Sequence, residues 1–261
     1  MSPIAEPRRG RLFLVPTPLD FGVTAGAGHG DLQDTLALGV IRRAASLSHW
    51  IAENAKTARA FLKRVDAVVP LALPLQALAI LELPRPAKGA RADAAPPPDA
   101  LLAPAVEGKD IGLVSEAGLA AIADPGAAVV QAAHRLGIEV VPLPGASSLL
   151  LALAASGLNG QSFAFVGYLP IDEAARAARI RELEALSRRA AQAQLMIETP
   201  YRNMALLSAL LAHLQPSTRL AVGCGLTLPA GWNRSDSVAA WRARPMPLPA
   251  DVPAVFALQA G

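Results

Sequence analysis

The clearest feature of this sequence is the alternation of short apolar runs with segments patterned as helices. Apolar runs at residues 110–115 and 138–142 each end in small residues, and residues 127–136 between them carry apolar side chains at helical spacing. This order predicts a βαβ unit, with both carboxyl ends at one edge of a parallel sheet. Ligands bind outside such carboxyl ends, where small residues let them approach the backbone. The pattern therefore predicts a ligand site within residues 112–148.

The same alternation continues on both sides of this central unit. Before it, the pattern predicts strands at residues 11–15 and 49–52. Helical spacing predicts a helix over residues 34–47, capped by Asp34 or a neighbour, and a second helix that ends at Arg64. After the central unit, strands are predicted at residues 163–167, 194–198, 219–224 and 252–258. Helices are predicted beside them, at residues 147–157, 172–191, 202–214 and 237–242.

Strands that alternate with helices throughout the chain indicate an α/β fold. Small and proline residues near positions 144–148 interrupt the alternation, so we expect two α/β domains. The expected division is a disordered terminus at residues 1–10, an N-terminal domain at residues 11–144 and a C-terminal domain at residues 145–261.

Two segments depart from the alternation. Residues 24–31 are rich in glycine, like a phosphate-binding loop, but the preceding strand ends at Val15 instead of directly before them. A flexible loop is therefore favoured over a nucleotide site. Residues 84–98 are rich in alanine and proline and hold neither a helix nor a central strand. They predict a surface loop, and the sequence leaves open whether it is a lid or disordered.

Composition narrows the class of protein. Hydrophobic residues make up 52% of the 261 residues, which excludes a disordered chain, and a net charge of +3 is too small to indicate a nucleic-acid binder. A single cysteine, Cys224, excludes an internal disulfide, and the four histidines lack ligand spacing. We therefore expect no metal and a reducing, cytoplasmic setting. The longest apolar run, residues 146–158, is too short for a bilayer, and residues 1–10 lack a signal-peptide core, so we expect no membrane association.

The predicted helix at residues 172–191 carries several arginines, namely Arg176, Arg179, Arg181, Arg188 and Arg189. An arginine stripe is one way to contact RNA. The same helix also carries glutamates, and Glu184 is spaced to pair with Arg188 at i,i+4. A solvated amphipathic face is therefore favoured over a nucleic-acid surface.

Six short motifs occur in a fixed order along the chain. They are LVPTPL at residues 14–19, AE at 52–53, VSEAG with ADPG at 114–126, VPLPGAS at 141–147, FVGYLP at 165–170 and IETPYR at 197–202. Each motif is weak alone, but together they resemble the tetrapyrrole (corrin/porphyrin) methylase superfamily. The closest resemblance is to its branch of ribosomal-RNA small-subunit 2′-O-methyltransferase-like proteins.

This resemblance implies two α/β domains with S-adenosyl-L-methionine in the cleft between them, in a cytoplasmic homodimer. Carried over by position, the cofactor-binding residues are Leu19, Val114, Ser115, Glu116, Gly118, Leu119, Ala120, Ser147, Ser148, Glu198 and Gly225. Strand-end carbonyls suit the amino groups of the ligand, and N–H groups near Ser147 suit its carboxylate. Gly118 is expected to leave space for the ligand. Simple helix capping by Ser147 and Ser148 stays an alternative.

Methyl transfer is an in-line displacement, so the protein must align the reactants, exclude water and, for an alcohol or amide acceptor, supply a base. The titratable residues nearest the inferred cleft are Glu53, Asp124, Glu198 and Tyr201. Glu53 and Glu198 are the candidate catalytic residues. The residues do not identify a general base, and several reactions of the family need little more than positioning.

The chain also departs from this family. RNA-modifying relatives carry Glu-Asp-Thr-Arg where residues 53–56 read Glu-Asn-Ala-Lys, and Ser-Asp-Ala-Gly-Thr-Pro where residues 115–120 read Ser-Glu-Ala-Gly-Leu-Ala. We therefore expect poor activity on the ribosomal-RNA site of those relatives, and the acceptor stays open between RNA and a small molecule. A regulatory or scaffold protein that binds the cofactor without catalysis is the alternative from another class.

Overall fold

The computed structural model describes residues 8–19, 31–84 and 98–261. The chain forms two compact units: the N-terminal unit comprises the described residues up to Ala146, and the C-terminal unit begins at Ser147. Each unit has its own five-stranded sheet with helices, so the predicted α/β class is confirmed. The predicted domain division at residues 144–145 stays a prediction. Nearly all of the glycine-rich loop, the 84–98 loop and the terminus at residues 1–10 lies outside the described residues.

The N-terminal sheet is parallel throughout, in the order β3-β2-β4-β1-β5. Its strands are β1 (Arg11–Leu14), β2 (His49–Ala52), β3 (Ala79–Glu82), β4 (Ile111–Val114) and β5 (Glu139–Pro142). Its helices are α1 (Leu38–Ser46), α2 (Ala55–Val68), α3 (Ala103–Val106) and α4 (Ala127–Arg135). Because β1 lies between β4 and β5, the predicted βαβ unit crosses over one intervening strand.

Packing explains the central position of β4. All four of its residues are buried, as expected for a strand covered by helices on both faces. A Cβ atom on Gly112 would lie 2.5 Å from the Trp50 ring, so the glycine makes room for that buried indole from β2. Because β2 and β4 pair in parallel with Ala52 opposite Val114, their carboxyl ends lie side by side.

Two details of the N-terminal unit differ from the prediction. Helix α1 begins at Leu38 rather than at residue 34, because Asp31 instead caps a separate 3₁₀ turn at Leu32–Asp34, where its carboxylate accepts the Gln33 N–H. Strand β3 was not predicted from the sequence. It is a mostly exposed edge strand, and its residues AILE lie within a longer stretch rich in Ala, Leu and Pro, in which no separate strand stands out.

The C-terminal sheet is mixed, in the order β6-β7-β10-β8-β9. Its strands are β6 (Phe163–Phe165), β7 (Ala193–Ile197), β8 (Arg219–Cys224), β9 (Trp232–Ser237) and β10 (Ala254–Gln259). Only the β6–β7 pair is parallel. Its helices are α5 (Ser148–Ser156), α6 (Glu173–Ala190), α7 (Asn203–His213) and α8 (Val238–Ala243).

Strand β9 was also missed, because its sequence WNRSDS is polar and forms the edge of the sheet. The unit is nevertheless well packed: Trp241 of α8 is fully buried, and its indole N–H donates to the Leu220 carbonyl at 2.8 Å. Among the described residues, no helix is long and apolar enough to cross a membrane.

Candidate functional site

The segment that follows β4 is sharply curled. Gly118, Ala121, Ala123 and Gly126 all have positive φ, with values of +73°, +68°, +63° and +132°. Non-glycine residues rarely adopt this conformation, and such residues concentrate at functional sites. Backbone hydrogen bonds hold the curl: Ala121 N–H donates to the Pro125 carbonyl and Ile122 N–H to the Leu119 carbonyl, at 3.3 and 3.2 Å.

Three carboxylates lie at this edge of the N-terminal sheet. Glu53 follows β2, whereas Glu116 and Asp124 follow β4, and the Glu116 N–H donates to Glu53 Oε2 at 3.3 Å. The Ser115 hydroxyl is within hydrogen-bonding reach of the Ala117 carbonyl, at 3.2 Å, and of the Asp124 carboxylate. We call Glu53, Glu116 and Asp124 the carboxylate cluster.

Burial of the Asp124 carboxyl group, followed by repulsion from Glu53 and then from Glu116, raises its pKa to about 6, and the Ser115 hydrogen bond offsets part of this rise. Burial raises an acid's pKa because the charged form loses solvation, and nearby anions add to the same effect. Asp124 therefore takes up a proton at a higher pH than an ordinary aspartate, with a midpoint near pH 6, which the sequence did not reveal beyond naming it as a titratable neighbour.

The structure assigns specific contacts to the cofactor residues predicted after β4. The Val114 carbonyl accepts the Glu53 N–H at 3.2 Å, and the Ser115 carbonyl accepts the Thr17 hydroxyl at 3.4 Å. Each carbonyl keeps a second lone pair for a ligand. Leu119 is part-buried, whereas Ala120 is 3% exposed and packs in the core, which leaves only its backbone for a ligand.

Gly118 has a structural role that the sequence did not predict. It pairs with Thr17 through two backbone hydrogen bonds of 2.9 and 3.1 Å, and its φ of +73° is strained for any other residue. A Cβ atom there would lie 3.4 Å from Leu19 Cδ2, which is ordinary contact. The backbone conformation is therefore sufficient reason for a glycine, and its contact with a ligand stays a prediction.

In the C-terminal unit, Glu198 is fully engaged by neighbouring residues. Its side chain is 5% exposed, pairs with Arg202 at 3.1 Å, and accepts the Thr199 N–H and hydroxyl at 2.9 and 3.3 Å. Both carboxylate oxygens therefore already have partners within the turn, Oε2 with Arg202 and Oε1 with Thr199. Tyr201, on the same turn, is 72% exposed. The catalytic role of Glu198 stays a prediction, but its contacts describe a carboxylate that holds the turn after β7.

The start of α5 has the features of an anion site. Ser147 occupies the N-cap position and is buried, but its side chain makes no capping hydrogen bond, and Ser148 is the first helical residue. The Ser147 hydroxyl therefore does not cap α5. The first N–H groups of a helix lack partners within the helix and attract anions.

Gly225 turns the chain between β8 and β9. Its φ is +59°, its N–H donates to the Pro253 carbonyl at 2.9 Å, and its carbonyl accepts the Leu228 N–H at 2.9 Å. A Cβ atom there would lie 3.1 Å from Val252 Cγ1. The turn accounts for the glycine, and its predicted cofactor contact is untested.

The structure changes two expectations from the sequence, one about Asn54 and one about the Glu184–Arg188 pair. Asn54 caps α2, with its Oδ1 accepting the Lys56 and Thr57 N–H groups at 2.9 and 3.4 Å, a role that Asp fills equally well. The predicted Glu184–Arg188 pair is replaced: Glu184 is buried and accepts the Gln215 N–H at 2.8 Å and the Thr218 hydroxyl.

Several arginines of α6 are engaged within the protein. Arg179 pairs with Glu182 at 2.6 Å, Arg188 donates to the Gly261 carbonyl at 2.9 Å, and Arg176 donates to the Ile171 carbonyl at 3.0 Å. These contacts favour a solvated face over an RNA-binding stripe. Across the described part of the chain, no group of three or more His, Cys, Asp or Glu residues is arranged to hold a metal ion.

Comparison with known proteins relates this geometry to a family. The family model described as "Tetrapyrrole (Corrin/Porphyrin) Methylases" matches residues 23–231. The "Ribosomal RNA small subunit methyltransferase I" of Halalkalibacterium halodurans is 32% identical over 174 residues, which cover 67% of this chain and 51% of that protein. The protein of the same name from Bacillus subtilis is 42% identical over 120 residues, or 46% of this chain and 39% of that protein.

These matches span about half the length of the curated relatives, or less. Among solved structures, the methyltransferase CobJ superposes with a TM-score of 0.54 at 16% identity, over 97% of this chain and 95% of that chain. At this identity the likeness concerns the fold alone.

Proposed function

Because this chain belongs to the tetrapyrrole (corrin/porphyrin) methylase family, we propose that it is an S-adenosylmethionine-dependent methyltransferase. The observation that carries the proposal is the match of the family model over residues 23–231. This range includes the curled segment after β4 and the start of α5, where the site was predicted from the sequence.

The chemistry of the residues fits this methyl donor. Its sulfonium and ammonium groups are positive, and the carboxylate cluster offers negative charge at the edge of the N-terminal sheet. Its carboxylate suits the free N–H groups at the start of α5. The proposed contacts are Leu19, Val114, Ser115, Glu116, Gly118, Leu119 and Ala120 in the N-terminal unit, and Ser147, Ser148, Glu198 and Gly225 in the C-terminal unit.

When bound, the donor supplies a methyl carbon that is activated by the positive sulfur. The chain's own residues must then hold the reactants in line and exclude water. The curled segment is suited to orientation, because hydrogen bonds fix its backbone on both sides of Ala121. Of the two candidate catalytic residues, Glu53 belongs to the carboxylate cluster. Its Oε2 accepts the Glu116 N–H.

We propose RNA of the small ribosomal subunit as the first acceptor to test, because the curated relatives carry that substrate in their names. The structure removes part of the objection to it, because Asn54 caps α2 as an aspartate does. The expectation of poor activity now depends on Lys56, on the changes at residues 116, 119 and 120, and on the small net charge of +3. A small-molecule acceptor is the alternative.

Donor binding is tested by calorimetry with S-adenosylmethionine, S-adenosylhomocysteine and NAD. We expect saturable binding of the first two and none of NAD. Ser147→Asp places a carboxylate on the N–H groups at the start of α5, so we expect at least a tenfold loss of donor affinity. Ser237→Asp is the matched control, because Ser237 caps α8 in the same position and lies outside the proposed contacts.

Transfer is tested with labelled donor and small ribosomal subunits that lack the ribose methyl group. Label in RNA supports the proposal, whereas donor binding without transfer to RNA or to extracted metabolites favours the scaffold alternative. We further propose a cytoplasmic homodimer, supported by the family resemblance and by the ribosomal substrate named for the relatives. Sedimentation of the purified chain at twice its 27.0 kDa mass is the expected result.

A further inference from the structure

Helix α2 concentrates the positive charge of this chain. Four of its residues are cationic and one, Asp66, is acidic, so its net charge is +3. That value equals the net charge of all 261 residues. Acids and bases therefore balance over the rest of the chain, and the small overall charge conceals a local concentration. A polyanion responds to such a local patch and not to the total charge alone.

Three of these cations share one exposed face of the helix. Lys56, Arg59 and Lys63 are exposed, whereas Arg64 is part-buried. Spacings of three and four residues place side chains on the same face of a helix. The helical rise of about 1.5 Å per residue spreads the three over about 10 Å along the axis. We call Lys56, Arg59 and Lys63 the α2 cationic face.

No carboxylate in the described part of the chain pairs with this face. The salt bridges there join other residues, and Arg59 donates to the Ala55 carbonyl of its own helix at 3.4 Å. Asp66 lies near the end of the helix, and its Oδ1 accepts the Leu71 N–H at 3.0 Å. Several arginines of α6, by contrast, are bound within the protein. The α2 cationic face is therefore open to an external anion.

This face begins at the edge of the N-terminal sheet where the site was predicted. Helix α2 starts at Ala55, two residues after Glu53 of the carboxylate cluster. Its first three N–H groups are already bound, by Glu82 Oε1 at 2.7 Å and by Asn54 Oδ1 at 2.9 and 3.4 Å. The start of the helix is thus closed to an anion, and binding depends on the three side chains.

We propose that the α2 cationic face binds the phosphate backbone of the RNA acceptor beside the carboxyl end of β2. This inference rests on the proposed function and names a surface for its RNA acceptor. Contacts of Lys and Arg with phosphates supply sequence-independent affinity and position the RNA without reading its bases. The exposed residue between these cations is Ala60, so the face lacks the large apolar groups with which amphipathic helices enter a lipid surface.

The salt dependence of RNA binding measures the number of phosphate contacts. Fluorescence anisotropy with a labelled oligouridylate of 20 nucleotides, between 50 and 200 mM KCl, gives the slope of log affinity against log salt. Lys56→Gln/Arg59→Gln/Lys63→Gln removes three cations, and each contact with a single strand contributes about 0.7 to the slope. We expect the slope to fall by about 2, so the parent loses about 20-fold more affinity than the variant over this range.

Two further variants test whether the position of the charge matters. Arg181→Gln/Arg188→Gln/Arg189→Gln removes the same charge from exposed positions of α6, and its slope should change by less than about 0.5. Arg59→Gln/Lys63→Gln keeps Lys56, the member of the face nearest the strand end, and should still lower the slope by about 1.4. Glutamine is about as good a helix former as lysine and arginine, and thermal unfolding checks that each variant is folded.

The outcomes separate this inference from the function on which it rests. It is overturned if the folded parent does not bind oligouridylate at 50 mM KCl, if the α2 variants keep the parent's slope, or if the α2 and α6 variants change equally. Binding of the parent to phosphatidylserine vesicles but not to RNA also overturns it. Calorimetry with S-adenosylmethionine tests the function: absence of donor binding, in a protein whose RNA slopes are as expected, overturns the methyltransferase proposal and leaves the role of the α2 cationic face.

Discussion

The carboxylates at the strand ends of the two units are arranged in opposite ways. After β2 and β4, Glu53 and Glu116 carry the same charge as Asp124 and lie close enough to raise its pKa. After β7, Glu198 faces a cation, Arg202, and the Thr199 donors. In the first arrangement, burial and like charges raise the pKa of Asp124 to about 6, whereas in the second a cation pairs with the carboxylate. Carboxylates at strand ends therefore meet like charges in one unit and a cation in the other.

The two sheets also differ in the direction of their strands. Helical crossovers in the N-terminal unit bring every strand back in the same direction, so that all carboxyl ends share one edge. In the C-terminal unit, a short turn at Gly225 joins β8 directly to β9, which makes that pair antiparallel. The parallel sheet thus collects strand-end groups on one edge, and the mixed sheet divides them between two.

The largest expected effect concerns Glu198, the carboxylate that pairs with a cation. Arg202→Met removes the cation from Glu198, whose side chain is 5% exposed. An unpaired buried charge is costly, so we expect a loss of about 3 kcal/mol in the free energy of unfolding, measured with urea. Adding Glu198→Gln should restore most of it. Arg244→Met is the control, because Arg244 is 81% exposed, and a loss below 1 kcal/mol for Arg202→Met would contradict the comparison.

Alanine substitutions at Gly225 and Gly118 should lower the free energy of unfolding by different amounts. Gly225→Ala combines a positive φ with a contact of 3.1 Å to Val252 Cγ1, and we expect a loss of about 2 kcal/mol. Gly118→Ala has strain but only ordinary contacts, so about 1 kcal/mol is expected. Gly160→Ala, with nothing within 4 Å, is the control. A reversed order in urea unfolding would show that the space around Gly118 is tighter than its contacts indicate.

The crowded carboxylate should make stability depend on pH. The folded state raises the pKa of Asp124 from 3.8 to about 6, so the folded protein holds this proton more tightly and loses stability as pH rises from about 4 to about 6. Asp124→Asn removes that loss. After discounting for partial exposure, we expect the variant to gain about 1.5 kcal/mol relative to the parent between pH 4 and pH 7. If the free energies of unfolding of the variant and the parent differ by the same amount from pH 4 to pH 7, the raised pKa of Asp124 is contradicted.

The smallest effect concerns the residue next to Glu53. Asn54→Ala removes the cap of α2, and we expect a loss of about 1 kcal/mol in the free energy of unfolding. Asn54→Asp keeps the cap and should change stability by less than about 0.5 kcal/mol. Unequal activity of parent and Asn54→Asp at equal stability would show that this position also contacts the acceptor.

Much of the fold followed from the sequence because buried elements leave regular patterns. Strand β8 was predicted with its observed bounds, Arg219–Cys224, and α6 within a residue at each end. Two edge strands were missed for different reasons. The sequence of β9 is polar, whereas the apolar residues of β3 lie within a longer stretch rich in Ala, Leu and Pro. Asp34 was wrongly predicted as the cap of a helix, because a residue that can cap a helix in sequence can often cap any of several neighbouring starting points.

The sequence by itself determined the α/β class, most helices and strands, and the family motifs, and it predicted the candidate site after β4. These depend on local periodicity and on small residues at strand ends, which are visible along the chain. Only the tertiary structure decided that Asp124 is half-buried near the charge of Glu53, that Glu198 pairs with Arg202, and that Glu184 is buried. A carboxylate's charge state depends on solvation and on neighbours that are distant in sequence, and those neighbours are chosen by strand order and packing.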